Sequence, residues 1–203
     1  QNQHYTTRPL VPLIATTHDR LAVEIMRGCS RGCRFCNAGM IYRPVRERTV
    51  AELAEFTRQT LNNSGYDEVS LLSLSTSDYS DLAELLKVEN EICTDRQVNI
   101  SFPSLRLDSF SAAIAELASS VRKSGFTFAP EAGSERLRQV INKNVTTVDL
   151  MQAVEIALAR GWKTLKFYFM VGLPTETEED IRSIAELVLA VLRVSKKYGY
   201  IEL

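Results

Sequence analysis

The first predicted strand of this chain is followed directly by the sequence RGCSRGCRFCN, residues 27–37. Its cysteines, Cys29, Cys33 and Cys36, have the spacing C-x3-C-x2-C. Thiolates are the usual protein ligands of iron–sulfur clusters, and a complete protein shell for a four-iron cluster contains four of them. Three closely spaced thiolates with no fourth nearby therefore predict a 4Fe–4S cluster in which one iron stays open to another ligand.

A zinc site is the main alternative use of these cysteines. Structural zinc needs four ligands, for example three cysteines and one histidine. The two histidines, His4 and His18, both lie upstream of the cysteines and at unusual spacings. A non-catalytic iron–sulfur or zinc binding module, associated with RNA, is therefore kept as the alternative to an enzyme.

The composition is that of an ordinary globular chain. Its 203 residues suffice for one sizeable domain, with 45% hydrophobic residues, 24% charged residues and a net charge of −1. This balance gives no global reason to expect a nucleic acid or a membrane as partner. Three of the four cysteines lie within eight residues, which is typical of a metal site in a reducing compartment and predicts a cytoplasmic location.

The two ends of the chain favour a piece of a longer protein. The sequence has no initiator methionine, and it stops within the strand-like stretch Tyr200–Leu203. We predict a lead-in segment over residues 1–20 and a core domain over residues 21–203, with further domains outside the chain.

Apolar runs of strand length alternate with helical patterns along the sequence. The predicted strands are Ala22–Met26, Glu68–Ser73, Val98–Phe102, Phe126–Ala129, Thr164–Val171 and the truncated Tyr200–Leu203. This alternation predicts βαβ units and a parallel sheet. Five units and a cut sixth indicate an α/β fold, an open, partial (β/α)6-type barrel, with a doubly wound sheet as the alternative. Either fold places functional residues at the carboxyl ends of the strands.

Five motifs, each at the end of a predicted strand, resemble the radical S-adenosylmethionine (AdoMet, SAM) superfamily. More closely, they resemble a subgroup of uncharacterised members that carry a cobalamin-binding-like domain upstream. The resemblance covers essentially the whole chain; the cysteine motif is specific, and the others mark the subgroup more weakly. The motifs are RGCSRGCRFCNAG (27–39), LSTSDYS (74–80), FPSLRLD (102–108), APEAGSER (129–136) and FMVGLPTE (169–176).

The resemblance implies a radical SAM enzyme. In this family a 4Fe–4S cluster reductively cleaves AdoMet, and the resulting 5′-deoxyadenosyl radical abstracts hydrogen from a substrate. The sequence does not identify that substrate, and RNA or a small molecule stay open. The resemblance also implies an electron donor such as flavodoxin or ferredoxin, no membrane partner, and cobalamin if the upstream domain binds it. No residue is predicted as a general acid or base.

The resemblance also implies residues that bind AdoMet. Phe35 is suited to stack on a flat ring. Ser75, Ser77 and Asp78 replace the relatives' Gly-Gly-Glu turn, which accepts hydrogen bonds from the AdoMet amino group. Because this chain departs from that pattern, a helix N-cap role for Asp78 stays open.

Three later positions complete the implied set. Arg106 is suited to pair with the AdoMet carboxylate or to be solvated. Glu131 resembles the residue with which relatives bind the ribose hydroxyls. Gly172 lies in a turn that resembles the relatives' turn beside the adenine, or is a simple strand-to-helix turn.

Two observations on charge and strand faces add to this list. Lys166 and Tyr168 share one face of the fifth strand and are candidates for a barrel lumen. Several arginines surround the cysteine motif, and Glu47 is the acidic residue expected to oppose them. These arginines predict a local positive field suited to AdoMet, an anionic substrate or RNA phosphates. The arginines are Arg27, Arg31, Arg34, Arg43, Arg46 and Arg48.

Overall fold

Strands and helices alternate in the computed structural model, which describes residues 5–14, 16–101 and 126–199. The predicted strand Tyr200–Leu203, the end of Val98–Phe102 and Arg106 lie outside these ranges. The strands are β1 (Leu21–Glu24), β2 (Met26–Arg27), β3 (Arg46–Glu47), β4 (Glu68–Leu72), β5 (Asn99–Ser101), β6 (Phe126–Glu131) and β7 (Leu165–Phe169).

Six helices connect the described strands. They are α1 (Ala38–Ile41), α2 (Val50–Ser64), α3 (Leu82–Asp95), α4 (Glu135–Val140), α5 (Thr147–Ala159) and α6 (Glu178–Ser195). Helices α2, α5 and α6 begin with complete capping boxes, in which a threonine and an acidic residue three positions later each bind the other's backbone N–H. Within the described ranges, no helix has the length and apolar character needed to cross a bilayer.

The strands form two parallel ladders and one short antiparallel ladder. The order β1-β4-β5 makes one parallel sheet, and β6 pairs with β7 in parallel. Because the described strands do not close into a ring, the architecture is a partial radical SAM-type barrel, as predicted. Parallel pairing also brings the carboxyl ends of β1 and β4 to one edge, and those of β6 and β7 to one edge.

The predicted strand Ala22–Met26 is wrong as a single element. β1 ends at Glu24, and Met26 starts β2, which pairs antiparallel with β3. Between them, Ile25 is fully buried; its N–H donates to the carbonyl of Leu72, and its carbonyl accepts from Arg48. The chain therefore leaves the parallel sheet at this point and enters the cysteine loop through a separate short ladder.

Each parallel ladder packs its apolar face on helices. Phe126, Phe128 and Leu165 pack with residues of α5 and α6 in one core cluster. Leu21, Val23 and Val69 pack with residues of α2 and α3 in another. The alternate residues of each strand face away from these helices, which leaves the other side of the sheets available for a site.

Candidate functional site

The cysteine loop, residues 28–36, follows β2 and depends on two glycines with positive φ. Gly28 has a φ of 93° and is so enclosed that an added Cβ would lie 2.6 Å from the carbonyl oxygen of Tyr42. Gly32 has a φ of 71°. Only glycine adopts such angles without a steric penalty, so the two residues permit the tight fold of the loop.

The three cysteines of the loop are free thiols and partly exposed. Within the described ranges, no three His, Cys, Asp or Glu side chains lie close enough together to hold a single metal ion. A four-iron cluster is compatible with this spread, because each of its cysteine ligands binds a different iron atom. A cavity of about 700 Å³ opens on Cys29 and Ser30.

The fourth cysteine, Cys93, is chemically different from the other three. It is buried in α3, where it packs as a small hydrophobic residue, and burial raises the pKa of its thiol to about 12. A thiol of this kind is poorly suited to be a ligand, because the thiolate is the ligand form. The donor set available in the loop is therefore three thiols, which fits a 4Fe–4S cluster with one open iron.

Asp78, a predicted AdoMet residue, contacts the cysteine loop directly. It lies in a 3-10 turn after β4 and forms a bidentate ion pair with Arg31, with 2.7 Å between Arg31 Nε and Asp78 Oδ2. Ser75 Oγ donates to the same carboxylate oxygen at 2.7 Å. Asp78 is not the cap of α3, which begins after Asp81. The structure thus brings Ser75 and Asp78 to the loop, with Ser77 in the same turn, while their role toward AdoMet stays a prediction.

A second contact to the cysteine loop comes from residues 140–143, which we call the bridging segment. The N–H of Arg34 donates to the carbonyl of Ile141 at 2.9 Å. The side-chain amide of Asn142 donates to the carbonyl of Gly32 at 2.8 Å. The sequence analysis missed these residues, because no local pattern links positions so far apart along the chain.

Phe35 lines an apolar pocket at the edge of the loop. The side chain is 41% exposed, and the pocket has a volume of about 250 Å³. A flat aromatic ring on an apolar wall is suited to stack on a nucleoside base. The other lining residues are Arg34, Val140, Ile141, Leu173 and Pro174.

Glu131 is the last residue of β6 and has an unusual environment. Its backbone φ is 69°, in the left-handed region. Its carboxylate lies 3.1 Å from Lys143 Nζ, and the two side chains are only 16% and 12% exposed. The sequence analysis did not identify Lys143. The predicted ribose-binding role of Glu131 stays a prediction, and the structure adds a positive partner to it.

The turn after Glu131 is fixed by Gly133 and Arg138. A Cβ on Gly133 would lie 2.3 Å from the backbone nitrogen of Ile184 in α6, so the turn packs backbone against backbone. Arg138 is 1% exposed and donates to the carbonyls of Ala132 and Gly133 at 2.9 and 2.7 Å. Burial lowers the pKa of this guanidinium. These contacts hold the turn at a fixed position beside the bridging segment.

Gly172 begins the turn that follows β7. It has a φ of 88°, and its N–H donates to Glu176 Oε2 at 2.6 Å. On β7, Lys166 and Tyr168 are exposed on the face opposite the core, as the alternation predicted, and Tyr168 is 59% exposed. Val171, the last residue of the predicted strand Thr164–Val171, lies beyond the end of β7 and is exposed.

The charge prediction for the arginines is corrected by two acidic partners. Glu24 accepts from Arg27 Nε at 2.8 Å, and this hydrogen bond lowers the pKa of Glu24 despite partial burial. Asp78 pairs with Arg31. Glu47 is therefore not alone in opposing these arginines, and the positive field beside the loop rests on the exposed Arg34, Arg43 and Arg46.

The comparison with known families agrees with this site. The sequence signature of the Radical SAM superfamily matches residues 23–188, which is most of the chain and includes all three loop cysteines. The chain therefore belongs to the radical SAM superfamily. The cofactors of that superfamily are a 4Fe–4S cluster and AdoMet.

Two curated proteins are similar in sequence to this chain over most of its length. An uncharacterized protein of Methanocaldococcus jannaschii is 38% identical over 175 residues, which cover 86% of this chain and 38% of that protein. The threonylcarbamoyladenosine tRNA methylthiotransferase MtaB of Treponema pallidum is 30% identical over 172 residues, covering 80% of this chain and 34% of MtaB. The chain thus spans little more than a third of the length of these relatives.

Two solved structures of TsrM, a radical SAM methyltransferase from Kitasatospora setae, share the fold. One, with tryptophan and a SAM analogue bound, has a TM-score of 0.70 and covers 85% of this chain and 34% of TsrM. The other, with cobalamin and a 4Fe–4S cluster bound, has a TM-score of 0.69 and covers 84% and 32%. Both are 16% identical to this chain, so the likeness shows the fold.

Proposed function

We propose that this chain is the core of a radical SAM enzyme in which Cys29, Cys33 and Cys36 hold a 4Fe–4S cluster and the remaining iron binds AdoMet. Held by these three thiolates and reduced by an electron donor, the cluster would supply one electron for breaking the C5′–S bond of AdoMet; the products would be methionine and a 5′-deoxyadenosyl radical that takes a hydrogen atom from the substrate. The observation that carries the proposal is the loop itself: three free thiols on a loop whose tight fold depends on two glycines with positive φ, beside an apolar pocket.

The chain's own residues have separate tasks in this proposal. Phe35 and Leu173 bind the adenine in the apolar pocket, and Gly172 lies in the turn that continues this wall. Glu131 accepts hydrogen bonds from the ribose hydroxyls, because an enclosed carboxylate is a strong acceptor. Asp78 orients the loop through Arg31, and this pair supports the ligand geometry rather than a proton transfer.

The adenine assignment is tested by AdoMet affinity in anaerobically reconstituted protein. Phe35→Ala is expected to weaken AdoMet binding about tenfold in calorimetric titration, since a base–aromatic stack contributes about 1–3 kcal/mol. Met40→Ala is the matched control, because Met40 is exposed close to the loop but does not line the pocket. If Phe35→Ala and wild type bind AdoMet with equal affinity, the proposal that the adenine binds in this pocket is wrong.

We propose RNA as the substrate class, with a small molecule as the competing outcome. The exposed arginines beside the loop support RNA, as does the similarity to a relative named as a tRNA methylthiotransferase. Replacing Arg43 and Arg46 by glutamine is expected to weaken tRNA binding and to reduce its salt dependence, since each phosphate contact releases counterions. Unchanged binding would favour a small molecule.

The remaining partners are proposed from the chemistry of the class. The cluster needs a low-potential electron donor, such as flavodoxin or ferredoxin, and the three free thiols support a reducing compartment, the cytoplasm. Cobalamin, which is bound in a TsrM structure, is proposed as a further cofactor held by a domain upstream of the core. Cobalamin content of the full-length protein, measured by its visible absorbance, tests this point.

A further inference from the structure

The bridging segment contacts the backbone of the cysteine loop through the side chain of Asn142. Asn142 Nδ2 donates to the carbonyl of Gly32, which directly precedes the ligand Cys33, at 2.8 Å, and it lies 3.4 Å from the carbonyl of Arg31. The backbone φ of Asn142 is 54°, which asparagine tolerates better than most residues. The side-chain amide of Asn142 therefore binds the loop backbone immediately before Cys33.

The next residue of the same segment holds the candidate ribose-binding carboxylate. Lys143 Nζ lies 3.1 Å from Glu131 Oε1, and both side chains are largely enclosed. A charge in such a place needs a partner, and removing one member of an enclosed pair leaves the other charge uncompensated. Lys143 therefore fixes the direction in which the Glu131 carboxylate points.

Arg138 links these two contacts into one unit. The N–H of Lys143 donates to the carbonyl of Arg138 at 2.8 Å, and the Arg138 guanidinium donates to the carbonyls of Ala132 and Gly133. The bridging segment and the Glu131 turn are therefore joined through a buried, multiply bonded arginine. Two adjacent residues then set the position of the cysteine loop relative to the Glu131 carboxylate.

We propose that Asn142 and Lys143 are positioning residues of the radical SAM site, Asn142 for the cysteine loop and Lys143 for the Glu131 carboxylate. The inference rests on the proposed function, because the Lys143 part needs AdoMet to bind at Glu131. Neither residue touches a reacting atom. Each acts through a different part of the site, so the two roles have separate readouts: the EPR signal of the cluster for Asn142 and the affinity for AdoMet for Lys143.

The Asn142 part is tested on the reduced cluster without AdoMet. In full-length protein carrying Asn142→Gly or Asn142→Asp, the EPR signal is expected to broaden, and the spin count per chain to fall at least twofold. Glycine keeps the positive φ and removes the amide, whereas aspartate keeps the shape and loses the donor. Asn144→Gly is the matched control, since Asn144 is an exposed asparagine two positions further along the chain. Lys143→Met is expected to leave this signal unchanged.

The Lys143 part is tested by adding AdoMet to the same proteins. Lys143→Met is expected to weaken AdoMet binding about tenfold, equivalent to about 1.4 kcal/mol, and Lys143→Arg is expected to restore most of it. Glu131→Gln is expected to have a similar effect, and the double variant to lose little more, because the two residues act as a pair. Lys163→Met, at an exposed lysine, is the control for a general change in charge.

The possible outcomes distinguish a failure of the positioning roles from a failure of the proposed function. If wild type forms the cluster and binds AdoMet but the Asn142 or Lys143 variants match it, that positioning role is overturned while the proposed function stands. If wild type forms no cluster, the proposed function fails as well. Equal far-UV circular dichroism and melting temperature in all variants are required, so that a change in the EPR signal reports the site and not unfolding.

Discussion

Replacing Glu89 by glutamine should stabilise the chain at alkaline pH and have little effect at acidic pH. Glu89 lies in α3 and is fully buried against α2, where Thr57 Oγ1 donates to its Oε1 at 3.0 Å. Among the residues that the structure describes, its other carboxylate oxygen, Oε2, has no hydrogen-bond partner. Burial raises the pKa of Glu89 to about 7, against opposing effects of Thr57 and Arg58.

The direction and size of the effect follow from linkage. Between the ordinary pKa of 4.5 and the folded pKa of about 7, the folded state binds more protons than the unfolded state. Stability therefore falls as pH rises through this window. A tenfold change in an ionisation constant is worth about 1.4 kcal/mol. At pH values above the folded pKa, the loss of unfolding free energy therefore reaches about 3 kcal/mol. Glutamine does not ionise and avoids this loss.

The assay is urea unfolding of the cluster-free chain, followed by far-UV circular dichroism at pH 5 and pH 8. The difference in unfolding free energy between Glu89→Gln and wild type is expected to be about 2–3 kcal/mol larger at pH 8 than at pH 5. Glu91→Gln is the matched control, since Glu91 is exposed on the same helix, and its difference should stay within about 0.5 kcal/mol. A pH-independent difference for Glu89→Gln would refute the reasoning.

Three further substitutions test the environment of the site. Gly133→Ala should destabilise the fold by about 1–3 kcal/mol, since its Cβ would meet the backbone of Ile184; an unchanged urea midpoint would contradict the close packing. Arg138→Met should cost about 3 kcal/mol or more, because several buried carbonyls lose their donor, and a smaller loss would mean that water replaces the guanidinium. Cys93→Ala should leave the iron and sulfide content per chain unchanged, and a reduced content would make Cys93 a ligand.

Local patterns were sufficient to predict the helix starts and the strand alternation. Thr49 and Glu52 are three residues apart, and their capping box forms as the sequence suggests. The alternation of exposed and core positions in β7 likewise follows from the period of a strand. In these places the interacting atoms are neighbours along the chain, so the sequence contains the needed information.

Contacts between distant segments were not predictable in the same way. Arg31 and Asp78 are 47 positions apart, and Asn142 lies 110 positions after Gly32. No periodicity relates such positions, and only the folded chain brings them together. Lys143 was not connected to Glu131, 12 positions away, for the same reason. Glu24, by contrast, is only three positions from Arg27, and the sequence analysis missed this local pair as well.

The predicted strand boundaries were wrong where tertiary structure overrides the local preference for a strand. Ala22–Met26 is apolar throughout except for Glu24, so its sequence gives no sign of a break. The break occurs at Ile25, where the chain exchanges hydrogen bonds with Leu72 and Arg48 before entering the loop. The interruption belongs to the geometry of the cysteine site, which a strand pattern does not contain.

The most direct test of the central claim is formation of 5′-deoxyadenosine. Full-length protein is reconstituted anaerobically with iron and sulfide, reduced with dithionite and incubated with AdoMet, beside the Cys29/Cys33/Cys36→Ala triple variant and the Cys93→Ala control. The account predicts product from wild type and from Cys93→Ala, and none from the triple variant. A wild-type protein with a complete cluster and no 5′-deoxyadenosine, or equal product from the triple variant, would contradict it.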